Sequence, residues 1–181
     1  MVQPAFIFTK VRRIVLSNKP KIGIFAGTFD PLTKGHLNLI ERSSKLFDEV
    51  IVVIAINTNK KTLFTVDERI KLVEDSVKHI DNVTVDTLKD GLIAHYYEEK
   101  QATALIRGLR NTTDVDYEYA IASANARQVE GLETMILHAA DQYRYLSSTI
   151  IKEIAFFDGD ISDMVPPNVE EAMHKKLILS K

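Results

Sequence analysis

The chain has 181 residues and a formal net charge of −2 at pH 7, and 45% of its residues are hydrophobic. This length suits one sizeable core, and the composition is that of globular proteins rather than disordered or fibrous ones. Because the net charge is slightly negative, no global positive field draws the chain to nucleic acid, and any anion site must be built locally. The absence of cysteine excludes disulfides and thiolate chemistry and fits a cytoplasmic protein.

We interpret residues 1–20 as an N-terminal extension that could be flexible, and residues 21–181 as a single domain that includes the C-terminal helices. The apolar run of the extension is interrupted by Thr9 and Lys10, and its charges follow that run, so it does not resemble a secretory signal peptide. No stretch reaches the roughly 18 apolar residues of a membrane-spanning helix. We therefore expect no membrane partner.

From Lys21 onward, short β-branched runs alternate with helical patterns. This alternation predicts an α/β fold, a doubly wound five-stranded parallel sheet of the Rossmann-like kind with helices on both faces. The predicted strands span 22–25, 50–56, 83–85, 104–106 and 134–137. The predicted helices span 36–46, 66–79, 93–100, 117–129, a segment after Ser147-Ser148-Thr149 that ends near Gly159, and 169–177.

Two helix starts carry capping signals in the sequence. Thr65 and Glu68 match a capping box before the second helix, in which each side chain bonds the other residue's backbone N–H. Asn168 is placed to cap the last helix.

The stretch "GTFDPLTKGH", residues 27–36, directly follows the first predicted strand. Ligands of open parallel sheets bind at the carboxyl ends of the strands. Gly27 and Gly35 would let the backbone approach a ligand, and the next helix, beginning at about His36, offers free N–H groups to a phosphate. The Thr28 hydroxyl and the His36 imidazole could hydrogen-bond two sides of one phosphorus, which favours transfer over mere binding. Alternatively, the glycines only make a turn and His36 is an ordinary helix residue.

The other polar residues of this stretch are expected to shape the loop. We predict that Asp30, Pro31 and Thr33 have this role, and that Asp30 makes a side-chain-to-backbone bond within the turn.

The run Gly27-Thr28-Phe29-Asp30-Pro31-x-Thr33-x-Gly35-His36 resembles the T/HxGH signature of the nucleotidyltransferase superfamily, in the form found in bacterial phosphopantetheine adenylyltransferases. Three further stretches resemble the same family in the same order. They are "NKKTLFTVDER" (59–69), "LIRGLRNTTDVDYEYAIA" (105–122) and "YLSSTIIKEIA" (145–155). The resemblance covers the chain from Lys21 to about Leu177.

This resemblance implies a reversible transfer of the adenylyl group of ATP to 4′-phosphopantetheine, giving dephospho-coenzyme A and pyrophosphate by in-line attack without a covalent intermediate. The reaction is the penultimate step of coenzyme A biosynthesis. The resemblance also implies Mg²⁺ that arrives with ATP and no protein metal ligand. It further implies a homohexamer built as two trimers, and coenzyme A as a feedback inhibitor.

The resemblance also assigns site residues. The implied catalytic residues are Thr28, His36, Lys60 and Arg110. The implied ATP contacts are Thr28, Phe29, His36, Gly108, Leu109, Arg110, Glu118, Tyr143, Ser147, Ser148 and Thr149. The implied phosphopantetheine contacts are Thr28, Lys60, Ile93 and Arg107, with Leu92 beside Ile93.

Each of these residues also has a plainer interpretation. The arginines could be solvated surface, Glu118 could pair with a neighbouring lysine or arginine, and Ser147-Ser148-Thr149 could be only a helix cap. Leu92 and Ile93 could be core residues of a helix start. Lys61 adjoins Lys60, so a shift of one residue would exchange their roles.

Two positions depart from the family pattern. Asn57-Thr58-Asn59 stands where the family often has a Ser-Pro-Ser or Pro-Ser run, and Phe156 stands where it commonly has an arginine. Tyr117 and Tyr119 could belong to the core or to an interface. The rival functions are a sister enzyme acting on nicotinate mononucleotide or glycerol phosphate, and a noncatalytic adenylate-binding module.

Overall fold

The computed structural model describes residues 19–56 and 61–178. Most of the predicted N-terminal extension, residues 1–18, lies outside the described residues, as does Lys60. In chain order the elements are β1 (Ile22–Gly27), α1 (Lys34–Ser44), β2 (Glu49–Ala55), α2 (Val66–Val77), β3 (Val83–Leu88), α3 (Ile93–Glu99), β4 (Ala104–Leu109), α4 (Thr112–Ala126), β5 (Thr134–His138), a 3₁₀ turn (Asp141–Tyr143), α5 (Ser148–Phe156) and α6 (Pro167–Ile178).

The strands form one parallel sheet in the order β3-β2-β1-β4-β5. The chain therefore runs outward from β1 in one direction through β2 and β3, then returns to β4 on the other side of β1. This reversal creates a crevice between the carboxyl ends of β1 and β4, where open α/β sheets bind their ligands. The predicted fold is confirmed.

Both faces of the sheet are buried, as the apolar run of β2 indicates. Val50, Val52 and Ile54 belong to a cluster that includes residues of α1, α2, α5 and α6. Ile51 and Val53 face a smaller cluster that includes α3. The alternation of β2 between two cores is the structural basis of the doubly wound architecture.

The fourth helix begins earlier than its pattern predicts. It starts at Thr112 rather than Tyr117, because the Asn111 side chain caps it by accepting a hydrogen bond of 3.0 Å from the Asp114 N–H. Tyr117 is 66% exposed and Tyr119 is 75% exposed. Neither tyrosine belongs to the core of this chain.

The prediction that Asn168 caps the last helix is wrong. α6 starts at Pro167, a residue favoured at a first helical position, so Asn168 already lies inside the helix. Its amide group donates to the Leu72 carbonyl (3.0 Å) and accepts from the Ser76 hydroxyl (3.1 Å). Asn168 therefore fastens α6 to α2.

In the part of the chain that the structure describes, every helix is too short or too polar to cross a lipid bilayer.

The predicted capping box of α2 is confirmed and can be tested by substitution. The Glu68 N–H donates to the Thr65 hydroxyl (3.2 Å), and the Thr65 N–H donates to the Glu68 carboxylate (2.7 Å). Thr65→Ala should lower the free energy of unfolding by about 1 kcal/mol, since one N–H of the first turn loses its acceptor. Urea titration measures the loss, with Thr113→Ala on the exposed start of α4 as the matched control. Equal losses in the two variants would contradict the assignment.

Candidate active site

Four segments converge where β1 and β4 end. The turn 28–33 follows β1, and Arg107 of β4 donates to the carbonyl of Ala26 in β1 (3.1 Å). The hydroxyl of Ser148, at the start of α5, donates to the Pro31 carbonyl (2.8 Å). Arg110, just beyond β4, donates to the Leu146 carbonyl (3.3 Å). The crevice is thus bounded by the turn after β1, the N-termini of α1 and α5, and the end of β4.

His36 lies in the first turn of α1 and its ring takes part in capping that helix. Thr33 is the N-cap residue, and its hydroxyl accepts from the His36 N–H (3.1 Å). In return, the Thr33 backbone N–H donates to His36 Nδ1 (3.2 Å). Because Nδ1 accepts this bond, a neutral His36 ring carries its proton on Nε2.

The surroundings of His36 keep the ring uncharged. Burial, then the positive charge of Arg110 and then that of Arg107, lower the pKa of His36 to about 4. The ring also packs edge-on against Phe29, with the ring centroids 5.3 Å apart. At neutral pH, His36 therefore offers an Nε2–H donor and not a third positive charge beside the two arginines.

Arg107 is held by a carboxylate partner. Its Nε and Nη2 donate to the two carboxylate oxygens of Glu118 at 2.6 and 2.7 Å, and Glu118 is only 8% exposed. The interpretation of Glu118 as the partner of a neighbouring arginine is thus confirmed, while its contact with ATP stays a prediction. A bidentate pair of this kind fixes the plane of the guanidinium.

Arg110 is exposed, but it too has a carboxylate partner. Its Nε and Nη2 donate to Asp114, one turn further on in α4, at 3.1 and 3.2 Å. Burial acts to raise the pKa of Asp114, but its hydrogen bonds with Arg110 outweigh burial and the pKa is lowered. Arg110 therefore stands at the mouth of the crevice with its orientation set.

The start of α5 faces the turn after β1. Ser147 caps the helix by accepting from the Ile150 N–H (3.2 Å), and the Ser148 hydroxyl is used in the bond to Pro31. Thr149 lies exposed in the first turn. The cap interpretation of Ser147 is confirmed. Because Ser147 takes the Ile150 N–H, an anion at this helix start would be bound by the N–H groups of Ser148 and Thr149.

Other predicted ATP contacts lie around the same crevice. The Phe29 side chain is buried in the core, so a contact with ATP would come from its backbone. Gly108 packs so tightly against Leu39 of α1 that an added Cβ would collide with the Leu39 side chain. Leu109 ends β4, and Tyr143 lies beside Gly35 at the start of α1.

The remaining predicted phosphopantetheine contacts are Ile93, with Leu92 beside it, and Lys60. Ile93 begins α3, which follows β3, a strand two positions from β1 in the sheet. Leu92 is 48% exposed and is not a core residue. Lys60 and the segment 57–59 lie outside the described residues, and the neighbouring Lys61 is exposed.

Asp30 does not make the bond within its own turn that the sequence predicts. Its buried carboxylate accepts from the Leu63 N–H at 3.1 and 3.0 Å and from the Phe64 N–H at 2.9 Å. It also forms an ion pair with Lys152 of α5 at 2.8 Å. These partners are too distant in sequence for turn spacing to indicate them.

A further residue near the turn was given no role by the motifs. Arg69 of α2 is 2% exposed, and its Nη1 donates to the Thr28 carbonyl (2.8 Å). In the sequence, Arg69 is one arginine near the start of an amphipathic helix. Most arginines in that position are exposed surface residues, so the sequence did not single it out.

Comparisons with known proteins agree on the family. The cytidylyltransferase-like family model matches residues 24–154. A phosphopantetheine adenylyltransferase from Syntrophomonas wolfei is 43% identical over 158 residues, which are 87% of this chain and 98% of the relative. One from Thermodesulfovibrio yellowstonii is 43% identical over 157 residues, which are 86% of this chain and 97% of the relative.

Similar solved structures support the fold. A Vibrio parahaemolyticus protein described as a putative nicotinate-nucleotide adenylyltransferase aligns with a TM-score of 0.63 at 23% identity, covering 90% of this chain and 93% of that one. A lipopolysaccharide core biosynthesis protein from Thermoplasma volcanium aligns with a TM-score of 0.50 at 23% identity, covering 67% of this chain and 98% of that one. At this identity the likeness shows the fold alone.

The charge and tautomer of His36 can be measured directly. Nitrogen-correlated NMR of the histidine rings should show His36 neutral, with the proton on Nε2, at pH 7. Its midpoint should lie near pH 4 because burial and the two arginines disfavour the imidazolium. The ring signals of exposed His174 in α6 serve as an internal reference for the chemical shifts. A His36 midpoint near the ordinary histidine value of about 6.5, or a proton on Nδ1, would contradict the assignment.

The same pKa predicts a dependence of stability on pH. The folded pKa lies below the value of about 6.5 in the unfolded chain, so the unfolded state binds the extra proton between these values. The stability from a neutral His36 is fully present above pH 6.5 and is lost as the pH falls through this window. Urea unfolding from pH 7 to 4 should therefore show a smaller loss for His36→Gln than for the natural chain. A loss of the same size in both would oppose the depressed pKa.

Proposed function

Because the chain belongs to the cytidylyltransferase-like family, and within it to the phosphopantetheine adenylyltransferases, we propose that it transfers the adenylyl group of ATP to the phosphate of 4′-phosphopantetheine. The products are dephospho-coenzyme A and pyrophosphate, and the reaction is a step of coenzyme A biosynthesis. The observation that carries the proposal is the neutral His36 ring with its proton on Nε2, next to two arginines where β1 and β4 end.

A neutral histidine suits this reaction. The acceptor phosphate is already an anion at neutral pH, so no base is needed to make it a nucleophile. The site must instead bring two anions together and stabilise charge on the transferring phosphoryl group. The Nε2–H group of His36 can stabilise that charge by donating a hydrogen bond, without taking up or releasing a proton.

In the proposed reaction, an oxygen of the acceptor phosphate attacks the α-phosphorus of ATP, and the bond from that phosphorus to the bridging oxygen of pyrophosphate breaks. His36 Nε2 and the Thr28 hydroxyl donate to the α-phosphoryl oxygens. Arg110 and the N-terminus of α5, Ser147 to Thr149, stabilise the departing pyrophosphate. No covalent bond to the protein forms.

The acceptor side of the site rests on Arg107 and Lys60. Arg107 is aimed by its bidentate pair with Glu118, and that orientation suits a planar contact with the acceptor phosphate. Lys60 is proposed between the acceptor phosphate and the α-phosphate, with Ile93 contacting the uncharged pantetheine arm. Similarity to phosphopantetheine adenylyltransferases at 43% identity favours this acceptor over nicotinate mononucleotide.

We propose that Mg²⁺ enters as the complex with ATP. Mg²⁺ keeps several waters and binds through substrate phosphates, so it needs few ligands from the protein. In the two described ranges, no group of three histidines or carboxylates could hold a metal ion. The ion would supply charge neutralisation on the phosphates.

We propose a cytoplasmic homohexamer that binds coenzyme A as a feedback inhibitor, on the strength of the family resemblance. The exposed aromatic side chains Tyr117 and Tyr119 are apolar surface that an assembly of this kind could cover.

Pyrophosphate release from ATP and Mg²⁺, with and without 4′-phosphopantetheine, tests the proposed function. We expect release that depends on the acceptor. His36→Ala should lower kcat by about 10²–10³, because it removes one preorganised donor aimed at developing charge. His174→Ala, which changes an exposed histidine of α6, is the matched control and should keep the natural rate. Bound ATP without acceptor-dependent release would refute the proposal.

Substitutions of Arg107 and Arg110 should each affect the binding of a different substrate. Arg107→Lys and Arg110→Lys each keep a charge but lose the planar fork that binds phosphate oxygens in pairs. We expect Arg107→Lys to raise KM for phosphopantetheine about tenfold and Arg110→Lys to raise KM for ATP about tenfold, each loss being about 1.4 kcal/mol. Initial rates with one substrate varied at a time measure both. Exchanged effects would show that the two roles are reversed.

A further inference from the structure

Arg69 contacts the backbone of the turn that bears Thr28, although it lies in α2 and belongs to none of the assigned contacts. Its side chain is buried, and its Nη1 donates to the Thr28 carbonyl at 2.8 Å. We propose that Arg69 is a positioning residue that orients the peptide between Thr28 and Phe29 for phosphoryl transfer. This inference rests on the proposed function and names a residue for the same site.

The geometry of one peptide group connects Arg69 to the crevice. The peptide between Thr28 and Phe29 is trans, so its C=O and N–H point in opposite directions. Since the Thr28 carbonyl points to the buried guanidinium, the Phe29 N–H points away from it. Arg69 thereby fixes the direction of a backbone donor in the turn that bounds the crevice.

The orientation of the Thr28–Phe29 peptide must be stabilised by contacts from outside the turn. Phe29 has a φ of +47°, a left-handed conformation that bulky residues rarely adopt and that strains the backbone. Burial of the Phe29 ring against Phe25 and His36 provides one restraint. The Arg69 bond provides the restraint on the peptide plane itself.

The helix that carries Arg69 is fixed to the same turn. The Asp30 carboxylate accepts from the Leu63 and Phe64 N–H groups, which directly precede the N-cap of α2. From the other side, Lys152 of α5 pairs with Asp30. Arg69 therefore acts on Thr28 from a helix start whose distance to the turn is set by Asp30.

The cost of burying Arg69 argues against a purely structural role. Burial lowers the pKa of Arg69, while the Asp30 carboxylate acts to raise it. Its Nε is buried without a hydrogen-bond partner, and leaving a buried donor unsatisfied is destabilising. An apolar side chain would fill the same space without that cost. What an apolar residue would not supply is the bond that holds the Thr28 carbonyl, and a positive charge beneath a turn proposed to bind phosphates.

The test compares Arg69→Met, which keeps the length and loses the donors, with Arg69→Lys, which keeps the charge and one flexible donor. Arg42→Met is the matched control, because Arg42 also donates to a backbone carbonyl, that of His138 (2.7 Å). For each protein we would measure kcat, KM for both substrates, the melting temperature, and the number of ATP sites per chain by calorimetry.

We expect Arg69→Met to lower kcat by about tenfold or more, with both KM values within about threefold and full ATP stoichiometry, because the interaction is used in the transition state. Arg69→Lys should retain more activity than Arg69→Met, and Arg42→Met should match the natural chain. Asp30 keeps Lys152 and two N–H partners in the Arg69 variants, so the turn should still fold.

Three outcomes would contradict the role of Arg69, and the measurements distinguish them. If the natural chain releases no pyrophosphate with phosphopantetheine, the proposed function fails before any variant is compared, and the inference falls with it. If the natural chain is active and Arg69→Met keeps its kcat, only the inference is overturned. A fall in kcat matched by an equal fall in ATP sites per chain would show loss of folded protein, and would also overturn it.

Discussion

The carboxylate of Asp30 is the interaction on which the rest of the site depends. It joins the turn after β1 to the segment before α2 through two backbone N–H groups, and to α5 through Lys152. These three segments belong to one side of the sheet but are far apart along the chain. This common acceptor, together with the bonds that Ser148 and Arg69 make to the turn, fixes the start of α2 and the start of α5 relative to the crevice.

The second constraint is local and lies within the signature itself. In an ordinary capping box, the third helical residue is a glutamate or glutamine that reaches back to the N-cap N–H. Here His36 occupies that position, and its Nδ1 accepts the Thr33 N–H. The contact that starts α1 therefore also sets the histidine tautomer, and the opposite ring nitrogen is left as a donor.

The cationic side chains of the crevice are also held in place. Carboxylate partners orient its two arginines, Arg107 by Glu118 and Arg110 by Asp114. The positive charges of both arginines act on His36, and the neutral ring is a donor that adds no repulsion to them. A chain of net charge −2 can thus present donors in fixed positions, as a locally built anion site requires.

The sequence predicted the sheet and its five strands because β-branched runs and helical periods alternate without interruption. It also placed the signature turn at a strand end, and family resemblance named the arginines around it. The start of α4 and the role of Asn168 were predicted wrongly, because several residues near a helix end can each serve as its cap. The sequence alone does not decide which of them does so. The partners of Asp30 and Arg69 could not be predicted from the sequence. These contacts join residues that are far apart along the chain, and no helix or strand pattern brings them together.

A crystal structure with dephospho-coenzyme A bound would test the proposed site most directly, because the phosphate attached to adenosine in its two-phosphate bridge marks the position of the α-phosphate of ATP. We expect oxygens of that phosphate within about 2.7–3.2 Å of His36 Nε2 and of the Thr28 hydroxyl, with Nδ1 still accepting from Thr33. A phosphate out of reach of His36, or one bound at Nδ1 after the ring has turned, would contradict it.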